Sequence, residues 1–252
     1  MIRTLWVFLA MAAATVWYGG IAIVDSLFRD RVEFYIELTR GWARSILRAS
    51  GTPVVAHGLE NVLRDSPQVV VSNHVSWYDI FAIAGVIPVP FHFVAKKELE
   101  SIPLFGRAWK TAGHISIDRS DRKKAIESLR RAGEEIRARR SAVVIFPEGT
   151  RSRTGRLQPF KKGAFSLAME AGVPIVPTVV VGSYDILRPD DWRVRPSTIH
   201  VHFGEPVSPS TSPRETSEQL MERVRARMVE MLERLEALPP EEPSPAGALN
   251  GG

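Results

Sequence analysis

The chain has 252 residues, enough for one large α/β domain with an additional element, and it contains no cysteine. The lack of cysteine excludes disulfides, thiolate nucleophiles and cysteine–zinc sites. The formal net charge of +5 suits a partner that carries phosphate or an anionic membrane surface. Nucleic acid would also suit this charge, but we find no zinc-finger spacing, RNP-like aromatic motif or long basic arm, so no nucleic-acid partner is predicted.

The N-terminal segment, residues 4–24, contains no charge and is long enough to cross a hydrocarbon core of about 30 Å. A cleaved signal peptide would have a shorter apolar region, and a soluble core helix would need burial on all sides. We therefore expect a membrane anchor that either spans the bilayer or dips into one leaflet. Only Arg3 precedes the segment, whereas arginines are frequent in residues 29–48, so the main domain should face the cytoplasm at the inner membrane.

The next segment, residues 29–50, alternates arginines with apolar side chains at roughly helical spacing. This pattern is typical of a helix that lies in a membrane interface. The apolar positions are Val32, Tyr35, Ile36, Trp42, Ile46 and Leu47. Residues 1–50 are therefore predicted to form a membrane-associated helical pair.

From residue 51 to residue 238, short apolar runs alternate with amphipathic stretches. The strand candidates are PVVAH, QVVVS, FHFVA, HISID, AVVIF, PIVPTVVV and TIHVHF. The predicted helices begin near Asp79, Leu104, Asp121 and Lys161, and a closing helix covers residues 213–238. This alternation predicts an α/β domain with a central, mostly parallel sheet flanked by helices. Residues 239–252 are predicted to be a disordered tail.

The motif NHVSWYD, residues 73–79, places His74 five positions before Asp79 and directly after an apolar run. On a straight helix, side chains five positions apart differ by about 140°, so these two meet only if His74 precedes the helix. One interpretation is a non-catalytic helix start in which Ser76 and Asp79 form a capping box.

The other interpretation is a catalytic dyad. Asp79 would accept a hydrogen bond from Nδ1–H of His74 and leave Nε2 as a general base. Such a dyad needs no protein nucleophile if the substrate brings a hydroxyl group. The sequence has no G-x-S-x-G elbow to supply a serine, which disfavours an acyl-enzyme.

The motif FPEGTRS, residues 146–152, carries groups suited to a phosphorylated ligand. Arg151 can bind a phosphate with both arms of its guanidinium group, and Gly149 and Thr150 allow close backbone approach. Glu148 can accept a hydrogen bond from a substrate hydroxyl. An ordinary surface turn with a Glu–Arg pair explains the motif equally well.

Lys96 and Lys97 follow the strand candidate FHFVA, where an α/β sheet commonly binds anionic ligands. Either lysine alone is more often a surface charge. Farther along, His200 and His202 share one face of a predicted strand and have the side chains to ligate a metal. The neighbouring sequence offers no third ligand, so no metal site is predicted.

Taken together, these stretches resemble the glycerolipid acyltransferases, the family of 1-acyl-glycerol-3-phosphate acyltransferases. The four blocks of that family occur in order as NHVSWYD, a stretch over residues 96–119 with K-x-E-L, P-x-x-G and I-D-R, FPEGTRS, and VPIVPT. They span residues 73–178, and polar Thr178 is the one departure. The family fold is an α/β sheet domain behind a membrane-associated helical pair, as the pattern of the sequence also predicts.

The resemblance implies a role for each matched residue. It implies that His74 is the general base and Asp79 its orienting partner. It also implies that Lys97 and Arg151 bind the acceptor phosphate. The residues implied to shape the glycerol site are Glu148, Gly149 and Thr150.

The resemblance further implies acyl transfer from acyl-CoA or acyl-ACP to the sn-2 hydroxyl of 1-acyl-glycerol-3-phosphate, without a metal or bound cofactor. The expected partners are a membrane lipid acceptor, the thioester donor and an anionic membrane surface. Three alternatives stay open. They are the same chemistry on a lyso-ornithine lipid or glycerol-3-phosphate, a non-catalytic lipid-binding protein, and a secreted hydrolase.

Overall fold

The computed structural model describes residues 1–118, 122–210 and 215–237, except the side chains of residues 122, 123, 125 and 126. The described helices are α1 Ile2–Ser26, α2 Val32–Ser50, α3 Tyr78–Val86, α4 Phe105–Thr111, α5 Arg122–Arg139, α6 Gly163–Ala171, α7 Ser183–Ile186 and α8 Ser217–Glu236. The described strands are β1 Val54–His57, β2 Gln68–Ser72, β3 Phe91–Lys96, β4 Ile115–Ile117, β5 Ala142–Ile145, β6 Ile175–Val181 and β7 Ile199–Phe203.

These elements confirm the predicted fold class. Each strand candidate matches a strand to within one residue at either end, and helices begin within two residues of Asp79, Leu104 and Lys161. Residue 121, residues 211–214 and residues 238–252 lie outside the described part of the chain, so both ends of the predicted closing helix and the predicted tail stay untested.

The strands form one sheet in the order β1-β7-β6-β2-β5-β3-β4. Among the described pairs, β6 and β7 are antiparallel and the others are parallel. The carboxyl ends of β6, β2, β5, β3 and β4 therefore lie at one edge of the sheet. That edge is where the loops after parallel strands bring their side chains together.

The central strands are continuous apolar runs because helices cover both faces of the sheet. In β2 and β5, Val69, Val70, Val71, Val143 and Val144 are all completely buried. One apolar core lies between the sheet and helices α2 and α3, and a second lies between the sheet and helices α6 and α8. This two-sided burial makes the strand ends a rigid frame for the loops that follow.

Among the described helices, α1 is the one that is long and apolar enough to cross a membrane. Leu9, Val16 and Trp17 on its outer side are between 59% and 68% exposed. Its inner side packs against the α/β domain. The Val194 amide donates to Thr4 Oγ1 over 3.1 Å near one end, and Gly19 packs against α4 farther along.

The apolar stripe of α2 faces the protein, which differs from the expected interfacial arrangement. Tyr35, Ile36, Ile46 and Leu47 are buried, and α2 packs between α1 and α3. An amphipathic pattern indicates that one face of a helix is covered, but it does not indicate whether protein or lipid covers that face. Contact between α2 and a membrane therefore stays a prediction.

Candidate active site

His74 and Asp79 meet in the geometry that the dyad interpretation requires. Strand β2 ends at Ser72 and α3 begins at Tyr78, so His74 lies on the connecting turn and Asp79 in the first turn of the helix. His74 Nδ1 lies 2.8 Å from Asp79 Oδ2, and the two side chains are 14% and 0% exposed. Because Nδ1 faces the carboxylate, Nε2 is the ring nitrogen left to act on a substrate.

Asp79 is held by three further donors. The amides of Val75 and Ser76 donate to Oδ2 over 2.7 and 2.9 Å, and Ser183 Oγ donates to Oδ1. The bond from the Ser76 amide is the returning half of the predicted capping box. The Ser76 hydroxyl accepts the amide of Tyr78 over 3.3 Å at the start of α3, and it donates to the carbonyl of Leu187 over 2.7 Å. The same carboxylate therefore orders the turn and orients the imidazole.

The motif analysis missed Ser183. This residue begins α7, directly after β6, and β6 is the neighbour of β2 in the sheet. Its hydroxyl can therefore reach Asp79 although the two residues are 104 positions apart. A signal for it exists only in the strand order, because a serine after a strand carries no motif.

We predict that Ser183→Ala lowers kcat about tenfold, because Asp79 loses one charge-assisted hydrogen bond and is held less firmly. The KM values for both substrates should change little, since Ser183 acts through Asp79. Steady-state kinetics of the acyl transfer that the resemblance implies check this expectation. Ser183→Thr, which keeps the hydroxyl, should recover most of the activity, and unchanged kcat in Ser183→Ala would contradict the positioning role.

One face of the imidazole is covered by an aromatic stack. The His74 ring lies on Phe146 with the ring centroids 4.1 Å apart and an interplanar angle of 20°. Phe146 stacks in turn on Phe93 with centroids 6.4 Å apart. These contacts restrict rotation of the imidazole and keep that face away from water.

Glu148 connects the FPEGTRS loop to the turn that carries His74. It is 4% exposed, and its Oε1 and Oε2 accept the amides of His74 and Gln158 over 2.7 and 2.9 Å. The amide of Ser152 also donates to the carbonyl of His74 over 2.7 Å. Burial, with a smaller contribution from the charge of Asp79, raises the pKa of the Glu148 carboxyl to about 7, although the two amide donors act in the opposite direction. Glu148 therefore positions the backbone of His74, and its predicted contact with glycerol stays a prediction.

The other residues of the motif lie at the open side of the turn. Gly149 has a φ of +75°, a conformation that side chains with a Cβ rarely adopt, and Thr150 is exposed. The Arg151 guanidinium lies over the Trp77 ring, 4.9 Å from its centroid. Burial lowers the pKa of Arg151, and attraction to Asp79 opposes this effect. Arg151 is thus pre-oriented beside the dyad by a cation–π contact.

Lys97 lies apart from this group. It begins the short helix Lys97–Ser101 directly after β3, and β5 separates β3 from β2. The end of β3 is therefore two strand spacings, or about 10 Å, from the end of β2. Lys97 lines a cavity of about 430 Å³ together with groups of both signs, among them Glu100, Asp118 and Lys124. The structure therefore joins His74, Asp79, Glu148 and Arg151 in one site and places Lys97 farther along the same edge.

Comparisons with known proteins show which proteins this chain is similar to. A family model described as Acyltransferase matches residues 53–181. The 1-acyl-sn-glycerol-3-phosphate acyltransferase of Cocos nucifera is 36% identical over 189 residues, which cover 75% of this chain and 61% of that protein. The protein of the same name from Pseudomonas aeruginosa is 33% identical over 207 residues, which cover 81% of this chain and 79% of that protein.

The fold also resembles a solved structure. The crystal structure of the 1-acyl-sn-glycerophosphate (LPA) acyltransferase PlsC from Thermotoga maritima superposes with a TM-score of 0.81 at 27% sequence identity, covering 95% of this chain and 97% of that one. The chain spans a smaller share of its plant relatives, 61% of the Cocos nucifera protein and 56% of the Limnanthes douglasii protein.

Proposed function

Because the chain belongs to the acyltransferase family, we propose that it transfers an acyl group from a thioester to the sn-2 hydroxyl of 1-acyl-glycerol-3-phosphate, giving phosphatidic acid. The observation that carries the proposal is the His74–Asp79 pair, 2.8 Å apart, with Arg151 beside it. A base held by a carboxylate next to a cation suits an acceptor that has both a hydroxyl group and a phosphate. The names of the bacterial and plant relatives support the same acceptor.

In the proposed mechanism, His74 Nε2 removes the proton of the acceptor hydroxyl while its oxygen attacks the thioester carbonyl. The tetrahedral intermediate expels the thiolate, and the imidazolium returns the proton to it. Asp79 keeps the imidazole in the required tautomer and stabilises its protonated form. The thioester is already activated and the acceptor supplies the nucleophile, so the chemical step uses neither a bound cofactor nor a metal.

We further propose that Arg151 binds the acceptor phosphate. Stacking on Trp77 fixes the plane of the guanidinium group, which favours two parallel hydrogen bonds to phosphate oxygens. Gly149 and exposed Thr150 then border the glycerol moiety, and Lys97 attracts the phosphate at longer range.

Arg151→Ala should raise the KM for the acceptor about 10- to 100-fold and change kcat much less, since one charge-assisted contact to a non-reacting group is lost. Steady-state kinetics with each substrate varied in turn provide the measurement. Arg153→Ala is a matched control, because Arg153 lies in the same loop but is 79% exposed and pairs with Asp190. A rise confined to the KM of the thioester donor would contradict the phosphate assignment.

We also propose that the protein is bound to the inner membrane with the α/β domain on the cytoplasmic side. The exposed apolar side of α1 and the arginines that follow it support this placement. Helix α1 contacts the α/β domain both at Thr4 and at Gly19. A helix that crossed the bilayer would extend away from the domain and lose one of these contacts, so the two contacts favour insertion into one leaflet. The acceptor would then reach His74 without leaving the membrane.

The test is an acceptor panel with purified protein in lipid vesicles. Labelled acyl-CoA and acyl-ACP are each offered with 1-acyl-glycerol-3-phosphate, glycerol-3-phosphate or a lyso-ornithine lipid. We expect release of free thiol and formation of labelled phosphatidic acid with the first acceptor. Turnover with only one of the other acceptors would support acyl transfer but reject 1-acyl-glycerol-3-phosphate as the substrate. No thiol release with any acceptor would favour the non-catalytic lipid-binding alternative.

A further inference from the structure

Three histidines converge at the end of the sheet formed by β1 and β7. His57 ends β1, whereas His200 and His202 lie on β7, and His57 and His202 are directly paired in the ladder between these strands. One ring nitrogen from each histidine lies within 4.8 Å of the other two. We call these three residues the histidine cluster.

The distances within the histidine cluster are close to those of a metal site. His57 Nε2 lies 3.3 Å from His200 Nδ1. In tetrahedral zinc sites each nitrogen lies about 2.0–2.1 Å from the ion, which separates two ligating nitrogens by about 3.4 Å. The His57 and His202 rings stack with centroids 4.2 Å apart and planes 6° from parallel, so one of the two rings must turn out of the stack for its nitrogen to reach the same ion.

The chemical environment suits a metal of the zinc type. All three side chains are half-buried, so the rings are ordered while water can still complete the coordination. Imidazole nitrogens bind zinc and its neighbours in the first transition row, whereas magnesium and calcium prefer oxygen.

We propose that His57, His200 and His202 form a binding site for one Zn²⁺ ion, with water as the fourth ligand. Bound metal would link the edge strand β1 to β7 through residues 143 positions apart in the chain. Both nitrogens of the 3.3 Å contact would then bind metal, and the proton between them would move to the other nitrogen of the ring that carries it, so each imidazole stays neutral. This proposal does not depend on the proposed acyl transfer.

The site is separate from the dyad. Strand β6 lies between β7 and β2, which leads into His74. His202 also lies directly opposite Val179, which is buried in the core that includes α6 and α8, whereas α3 with Asp79 packs on the other face of the sheet. Directly opposite residues of an antiparallel pair share a face, so the histidine cluster points away from α3.

The first test is a calorimetric titration of untagged, metal-free full chain in detergent with ZnCl₂. We expect one equivalent to bind, and about a 100-fold or greater loss of affinity in the double variant His57→Ala/His202→Ala. His74→Ala is the matched control, because it also removes a half-buried histidine but should bind zinc as the wild type does. MgCl₂ should not bind at this site. Equal zinc affinity in the wild type and the double variant would overturn the proposal.

A second test uses only the wild type and therefore does not depend on whether the double variant folds. Co²⁺ bound to three imidazoles and water should show the intense visible absorption of tetrahedral cobalt, and Zn²⁺ should displace it. Saturating Zn²⁺ should also raise the thermal midpoint by about 5 °C or more, since it binds only the folded chain. A spectrum identical to that of hydrated Co²⁺ would overturn the proposal.

Discussion

His74→Ala should reduce acyl transfer to about a thousandth of the wild-type rate or less, because in the proposed mechanism the acceptor hydroxyl loses its general base. The imidazole is the group whose free Nε2 can take the proton, with Nδ1 occupied by Asp79 at 2.8 Å. The measurement is thiol release from an acyl thioester in the presence of 1-acyl-glycerol-3-phosphate, under single-turnover and steady-state conditions.

The His74→Ala variant should remain folded. Glu148 and Ser152 bind the amide and carbonyl of residue 74, and these backbone bonds do not need the imidazole. A thermal melt within a few degrees of the wild type would separate loss of the base from loss of the fold. Activity above about a hundredth of the wild-type rate in a folded variant would reject the general-base assignment.

Asp79→Asn should lower kcat about 100-fold or more, a smaller loss than that of His74→Ala. An asparagine amide that faces Nδ1 donates a hydrogen bond where the carboxylate accepts one, so the proton moves to Nε2 and the lone pair there is lost. The substitution also weakens the contacts with the amides of Val75 and Ser76 and with Ser183, which loosens the turn. Steady-state kcat, together with a thermal melt, measures both effects.

The double variant His74→Ala/Asp79→Asn provides the decisive control. Asp79 acts through the imidazole, so the double variant should be no slower than His74→Ala alone. Multiplicative losses would show that Asp79 contributes independently of His74, and the dyad description would then be wrong.

The parts of the site that could be predicted are those built from neighbouring residues. The valine runs of β2 and β5 predict buried parallel strands because every side chain on them must be covered. The contact between His74 and Asp79 could also be predicted, since the two residues are five positions apart and one strand–turn–helix unit sets their geometry. Recognition of the four blocks depended on such local patterns as well.

The parts that could not be predicted join distant segments. Glu148 binds the His74 amide across 74 positions, Ser183 reaches Asp79 across 104, and His57 approaches His200 across 143. The apolar stripe of α2 likewise predicted a covered face but assigned it to lipid instead of to α1 and α3. Local periodicity reports which side of an element is buried, whereas the order of strands in the sheet sets which distant residues meet there.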